Sequence, residues 1–443
     1  MMPHFSSLYE NQLLIQIIVT ISMVLLLSFL NLPVLFLLGI QTYIHPDSVS
    51  NQENSNVKAA IKRPSVGNDI QSDLRKRISG NHKDQYEFDE SSAQIFRLKL
   101  DEGHLQSRLF FNDYRHCVIY SSLALINMPV HKFLQNKIEK DEILACSLMV
   151  PLIFSVFSLS KMLACLGKIS LEKSASRRSE KLWSLGMGLV GFGCGLLMCF
   201  GVTGSFLDFD LIDSDAVFSR IIFAVMMGCL SGLLYVPANK NAKCFWIGSD
   251  QIRSNLEIVT CGRVGRLILY ANLLLGFATT LLWVKPVNAI LIQKSNQIEG
   301  TSFAGNAGFP EADFDGLRIA CLLLCGVMQL VALRWNLQMY LNEALISWYQ
   351  RLHASKVPDL GFSRAKVFLH NHFLCLTVIQ FLAPPLLLLS LLGLAELDSK
   401  FPRWLVPCFR EMCLLMAWWV LVVWESFTLL RLFLYRRGFL FVS

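Results

Sequence analysis

Charge is scarce in this 443-residue chain. Only 16% of its residues are Asp, Glu, Lys or Arg, whereas a soluble domain carries about 25%. Hydrophobic residues make up 53%, so most of the chain must meet lipid or other apolar segments rather than water. Chemical motifs are scarce too. There are 13 cysteines but no CxxC pair, so neither a zinc site nor a redox pair is signalled by spacing. No phosphate loop, nucleophile elbow or HExxH occurs, and no N-x-[ST] acceptor marks an outer surface. The expectation is a non-enzymatic protein with no cofactor and no metal.

What the chain does have is long apolar runs. A helix needs about 20 apolar residues to cross the hydrocarbon core. Runs of that order occupy 13–38, 109–131, 143–167, 182–202, 217–236, 267–284, 316–335, 370–394 and 409–434. The second carries Asp113, Arg115 and His116 in its first turns, so the count is nine spans, or alternatively eight. The fold class is all-α, a polytopic helical membrane bundle. It divides into an N-terminal anchor span (1–44), a polar linker (45–108) and a multi-span domain (109–443).

The net charge of +7 is spread between the runs and not gathered in one patch. That is the footprint of membrane orientation, not of nucleic-acid binding. Segments 168–181, 237–266 and 336–369 are basic, as is the tail with Arg436 and Arg437. The alternate segments, such as "LDFDLIDSDAV", are acidic or sparse. Nine crossings, with the N-terminus outside and the C-terminus in the cytosol, satisfy this alternation. The bilayer is then the first partner, with other membrane proteins as further candidates and no role for nucleic acid.

The linker is too polar to bury a core and is expected to be cytosolic and largely disordered. Near its end, "SSAQIFRLKL" suits a short helix capped by Ser91 and Gln94, or equally a strand by its alternation. After the seventh run, Leu337, Leu341, Leu345, Trp348 and Leu352 share one helical stripe, which predicts an amphipathic helix lying along the membrane surface. The alternative is continuation of the span. Gly191 and Gly195, then Gly228 and Gly232, suit close helix packing within one bundle or at a dimer face. Pro384 and Pro385 should kink the eighth span.

Asp113, Arg115, Lys161 and Glu425 all fall in the inner half of the expected spans. A mid-span charge costs about 2.5–3.5 kcal/mol, and pairing offsets much of that. We therefore expect Glu425 to pair with Lys161, either as structural glue or on a route for protons or cations. Arg220, Arg318 and Glu411 lie near the outer face, where the arginines can snorkel or pair with Glu411 or the outer aspartates. His370 and His372 are two apart on a helix, point apart, and cannot share a metal.

Several stretches together resemble one family. "FDGLRIACLLLCGVMQLVALRWNLQMYL", "YIHP", "FSLSKMLACL", "SRIIFAVMMGCLSGLLYVP", "LLWVKP" and "VIQFLAPPLLLLSLL" are similar to segments of the transmembrane protein 161 family of eukaryotes. On that pattern fall Lys161, Arg220, Arg318, Arg334, Gln338, Tyr340, Gln380 and Pro384. The resemblance implies a multi-pass membrane protein of about eight spans, with suggested roles in stress protection and ion handling. It implies no particular biochemical activity.

Overall fold

The computed structural model describes residues 3–45, 58–61, 93–136, 144–172, 178–202, 207–209, 217–250, 261–291, 311–354, 359–397 and 406–441. The elements, in chain order, begin with α1 (Pro3–Phe29), α2 (Leu32–Leu37) and β1 (Gln41–Ile44). Next come β2 (Lys58–Ile61), β3 (Ile95–Lys99), α3 (Glu102–Gln106), α4 (Phe111–Asn136) and α5 (Leu144–Leu171). After them come α6 (Arg178–Leu197), which ends in a π-helical turn at Met198–Val202, then α7 (Val217–Asp250), α8 (Gly262–Leu281) and α9 (Lys285–Leu291). The chain closes with α10 (Glu311–Ala354), α11 (Gly361–His372), α12 (Leu374–Glu396) and α13 (Val406–Arg436).

Among the described residues, seven helices are long and apolar enough to cross a membrane: α5, α6, α7, α8, α10, α12 and α13. The expected first and second spans are the helices α1, with its apolar stretch Leu14–Phe29, and α4, whose charges lower its hydropathy. Both belong to the bundle. Gln16 and Thr20 of α1 meet His131 and Asn127 of α4 at 3.0 and 2.9 Å.

The centre of the bundle is α12. Nineteen of its residues are buried, including Pro384 and Pro385. This helix is apolar on every side, which is how a helix surrounded by other helices reads. By contrast, α6 is largely exposed, with Leu182, Leu185, Leu189 and Val190 all facing outward. It is held chiefly by its glycine face, with Lys181 Nζ donating to Leu171 O and Glu172 O at the end of α5. Gly188 and Gly191 lie against Gly228 and Ser231 of α7, and Ser184 Oγ donates to Gly232 O at 2.6 Å. Of the two readings of these glycines, the structure therefore uses packing within one chain.

One open reading is decided and one expectation is corrected. The first concerns "FRLKL", where the strand reading holds and the helix reading does not. β3 is the central strand of a three-stranded antiparallel sheet, in the order β1-β3-β2. β1 pairs with it from Gln41↔Lys99 to Ile44↔Phe96. Ile95 and Leu98 are buried, so a long-range ladder with β1 satisfies the backbone and outweighs a local cap. The sheet joins both sides of the expected division at residue 44; the rest of the polar linker, 46–57 and 62–92, lies outside the described residues.

The second concerns the amphipathic helix. No break separates the seventh span from "NLQMYLNEALISWYQRLH": α10 runs on through both. The stripe of Leu337, Leu341, Leu345, Trp348 and Leu352 is buried in protein, and Asn336 and Glu343 on the other faces are buried as well. β1 and α11 cover this end, so its apolar stripe packs against protein and not on headgroups.

The α6–α7 contact gives a first prediction. A Cβ added at Gly228 would stand 2.8 Å from Phe192 Cβ and 2.9 Å from Gly188 O. Gly228→Leu should destabilise the protein by about 1–3 kcal/mol, read as a lower thermal unfolding midpoint in detergent. Gly193→Leu, where the added Cβ meets nothing, should leave the midpoint unchanged.

Candidate functional site

The buried charges fall at three levels along α10. From Arg318 to Glu343 is 25 residues, about 37 Å of helix at 1.5 Å per residue. That exceeds the roughly 30 Å hydrocarbon core. The two residues therefore mark opposite ends of the bundle.

At one end Arg318 is buried among aromatic rings. Its guanidinium lies 5.1 Å from the Trp283 ring centre and 4.5 Å from that of Phe314. Nε donates to Leu282 O at 3.1 Å, one terminal nitrogen to Asp315 at 3.2 Å, and the other to Asp208. Asn288 donates to the same Asp208 oxygen at 3.0 Å. Of the two readings of Arg318, pairing with aspartates, here Asp208 and Asp315, holds and snorkelling does not. Arg220 sits 5.9 Å from the Phe200 ring centre, and Glu411 is half-buried near the start of α13.

At the other end Glu343 gathers cations from two other helices. Its Oε1 lies 2.7 Å from Lys243 Nζ of α7, 3.1 Å from Lys366 Nζ and 3.6 Å from His370 Nε2, the last two on α11. The His370 ring stacks on Tyr340 at 4.6 Å, and its Nδ1 donates to Lys366 O. Lys240 Nζ donates to Gln380 Oε1 at 2.8 Å and lies over the Tyr340 ring. β1 is clamped alongside. Gln41 N donates to Gln338 Oε1 at 3.0 Å, and Gln338 Nε2 returns to Gln41 O at 3.1 Å. Tyr43 Oη donates to Asn342 Oδ1 at 2.8 Å, Asn371 donates to Tyr43 O, and Arg334 to Leu38 O. Burial pushes the Tyr43 phenol up to about 12, so it stays a donor across the physiological range.

The expected inner cluster is only partly assembled. Asp113 takes Lys168 at 2.6 Å and Lys161 at 3.7 Å. No ion pair joins Arg115 to it among the described residues. Glu425 is not there, so the expected Lys161–Glu425 pair is corrected. Lys161 belongs to α5 and faces α4, where Asp113 is the nearer acid. Glu425 instead projects from α13 toward α8, about 22 Å along its helix from Arg410 and about 16 Å from Arg436. It is 3% exposed. Its Oε1 occupies the space that a side chain at Gly276 would fill, and Oε2 has no hydrogen-bond partner among the described residues. Toward the Glu343 end, Asn336 donates to Asn241 at 2.9 Å, and Asn241 faces Thr428 at 3.5 Å. Asn241, Asn272, Gln329 and Asn336 line a cavity of about 10 Å³, room for about one water.

Of the residues singled out from the family pattern, Tyr340 stacks on His370 and Gln380 holds Lys240 beside Glu343, while Arg334 and Gln338 clamp the β1 segment nearby; Pro384 lies one turn along α12 from Gln380. The reading of the sequence missed Glu343, Lys240, Lys243 and Lys366. In the sequence Lys240, Lys243 and Lys366 count only toward orientation, within the basic segments 237–266 and 336–369. The signal of Lys240 and Lys243 was a spacing of three on a helix that outlasts its apolar run.

These features define a polytopic α-helical membrane protein with an ionic knot at one end and a lone buried carboxyl at mid-depth. Residues 207–406 match the family described as predicted transmembrane protein 161AB, which agrees with the resemblance to the transmembrane protein 161 family. No solved structure matches the chain.

Removing the acid of a buried ion cluster leaves its cations unpaired. Glu343→Gln should cost about 3–5 kcal/mol and lower the unfolding midpoint far more than Lys366→Met. Equal, small shifts would mean that the cluster contributes little.

Proposed function

We propose that the protein is a non-enzymatic membrane protein that modulates ion handling, and through it the response to stress, by contact with neighbouring membrane proteins. We take the chain to cross the bilayer nine times, with the N-terminus outside and the C-terminus cytosolic. The alternation of basic and acidic segments supports this arrangement. The observation that carries the functional reading is Glu425. A carboxyl group at this depth costs about 2.5–3.5 kcal/mol even on the mild insertion scale. Nothing in the packing of α8 against α13 requires an acid there, and such groups mark ion-linked function by default.

The burial of α12 at the centre of the bundle supports modulation over conduction, since a packed helix stands where a central pore would run. The second reading, transport of protons or cations by this protein alone, is favoured by the Glu425 oxygen that has no hydrogen-bond partner among the described residues.

Two measurements separate these readings. Purified protein in liposomes should pass no more ions than empty liposomes if it modulates others; flux that disappears in Glu425→Gln would favour transport. Glu425→Gln keeps the volume of the side chain, so its unfolding midpoint should match or slightly exceed that of the native protein. In cells, the same variant should lose the native protein's effect on membrane currents. Unchanged currents in well-folded Glu425→Gln would contradict both readings.

A further inference from the structure

The interface between α4 and α5 carries three polar pairs, on successive turns of α4. Asp113 meets Lys168 at 2.6 Å, Cys117 meets Cys165 at 3.4 Å between sulfurs, and Ser121 meets Ser158 at 2.9 Å. On α4 these residues are four apart. On α5 they descend from 168 to 165 to 158, as antiparallel neighbours must. Side chains three or four apart share a helix face, so the register fixes the two thiols opposite each other. Both are buried, at 2% and 4% exposure. The ion pair one turn away opens to solvent, since the Lys168 side chain is 60% exposed. Lys161 and Lys168 flank Cys165 on its own helix, four residues before and three after.

Packing alone does not need this arrangement. A buried Cys usually serves as a small apolar side chain, and most cysteines here do. Two thiols in contact, beside two ammonium groups and about 6 Å of helix from water, have the layout of a reactive dithiol. We propose that Cys117 and Cys165 form a reversible redox pair that hydroperoxides oxidise to a disulfide stapling α4 to α5. The proposal is independent of the ion-handling reading.

The chemistry balances with hydrogen peroxide as the oxidant. One thiolate attacks a peroxide oxygen, the O–O bond breaks, and the sulfur becomes a sulfenic acid as the first water leaves. The second thiol attacks that sulfur, the S–S bond forms, and the second water leaves. The two thiols lose two electrons and two protons to the peroxide. The sulfurs must close from 3.4 Å to about 2.0 Å. A dithiol reductant reverses the step by exchange.

Full-length protein in native membranes would be treated with hydrogen peroxide, alkylated, and mapped by peptide mass spectrometry. The expected product is a Cys117–Cys165 cross-linked peptide that dithiothreitol removes. In Cys117→Ser and in Cys165→Ser the cross-link should vanish, and the remaining cysteine should be trapped as sulfenic acid by dimedone. If a variant fails to fold, the native map still decides. The proposal is overturned if both cysteines are recovered alkylated as thiols at peroxide levels that fully oxidise glutathione added as a control, or if either joins a different cysteine.

Discussion

The carboxylate of Glu343 holds the inner architecture together. One oxygen faces Lys243, Lys366 and His370, drawn from α7 and α11, while Glu343 itself stands on α10. Taking so many charges out of water is costly unless each finds its partner. Here a single acid neutralises part of a strongly basic neighbourhood, and the remaining cations go elsewhere. Lys240 goes to Gln380, Arg364 to His45 and Arg334 to the Leu38 carbonyl. The knot forms only because α7 and α10 stay helical past the depth at which their apolar runs stop. It in turn creates the surface on which β1 and α11 lie.

The bundle handles its other charges by the same logic, with one exception. Arg318 meets two aspartates, a carbonyl and two aromatic rings at the far end. Asp113 is shared by two lysines. Both lie near an end of the bundle, where water is at hand and a charge is least costly. Glu425 lies deepest and has the fewest partners. Gly276 makes room for it, since any larger side chain there would collide with the carboxyl. Among the described residues no ion pair reaches it, and Oε2 has no hydrogen-bond partner.

Much of this was legible in the sequence, for a physical reason. Apolar runs report burial in lipid directly, so 143–167, 182–202, 267–284, 370–394 and 409–434 each correspond closely to a helix. What the runs cannot report is where a helix stops once protein replaces lipid. The fifth run ends at 236, but α7 continues to Asp250, because Asn241 and Lys243 find Asn336 and Glu343. α10 outlasts its run in the same way. Pairings across long separations were also hidden. Nothing local tells Gln41 that Lys99 lies opposite, or Lys161 that Asp113 is nearer than Glu425. Composition points to charges inside apolar runs, such as Lys161 and Glu425, and passes over those beyond the runs, such as Glu343; only the packing decides which of them meet.

The central claim is that α10 is one continuous helix which carries Glu343 clear of the bilayer. Electron–electron spin distances between labels at Leu323 and Gln350, both exposed, test it directly in the reconstituted protein. A single helix over these 27 residues predicts about 40 Å between their backbones at 1.5 Å per residue. A helix that breaks near Asn336 and turns flat along the membrane would give about 29 Å at the same rise, and that shorter distance would contradict the account.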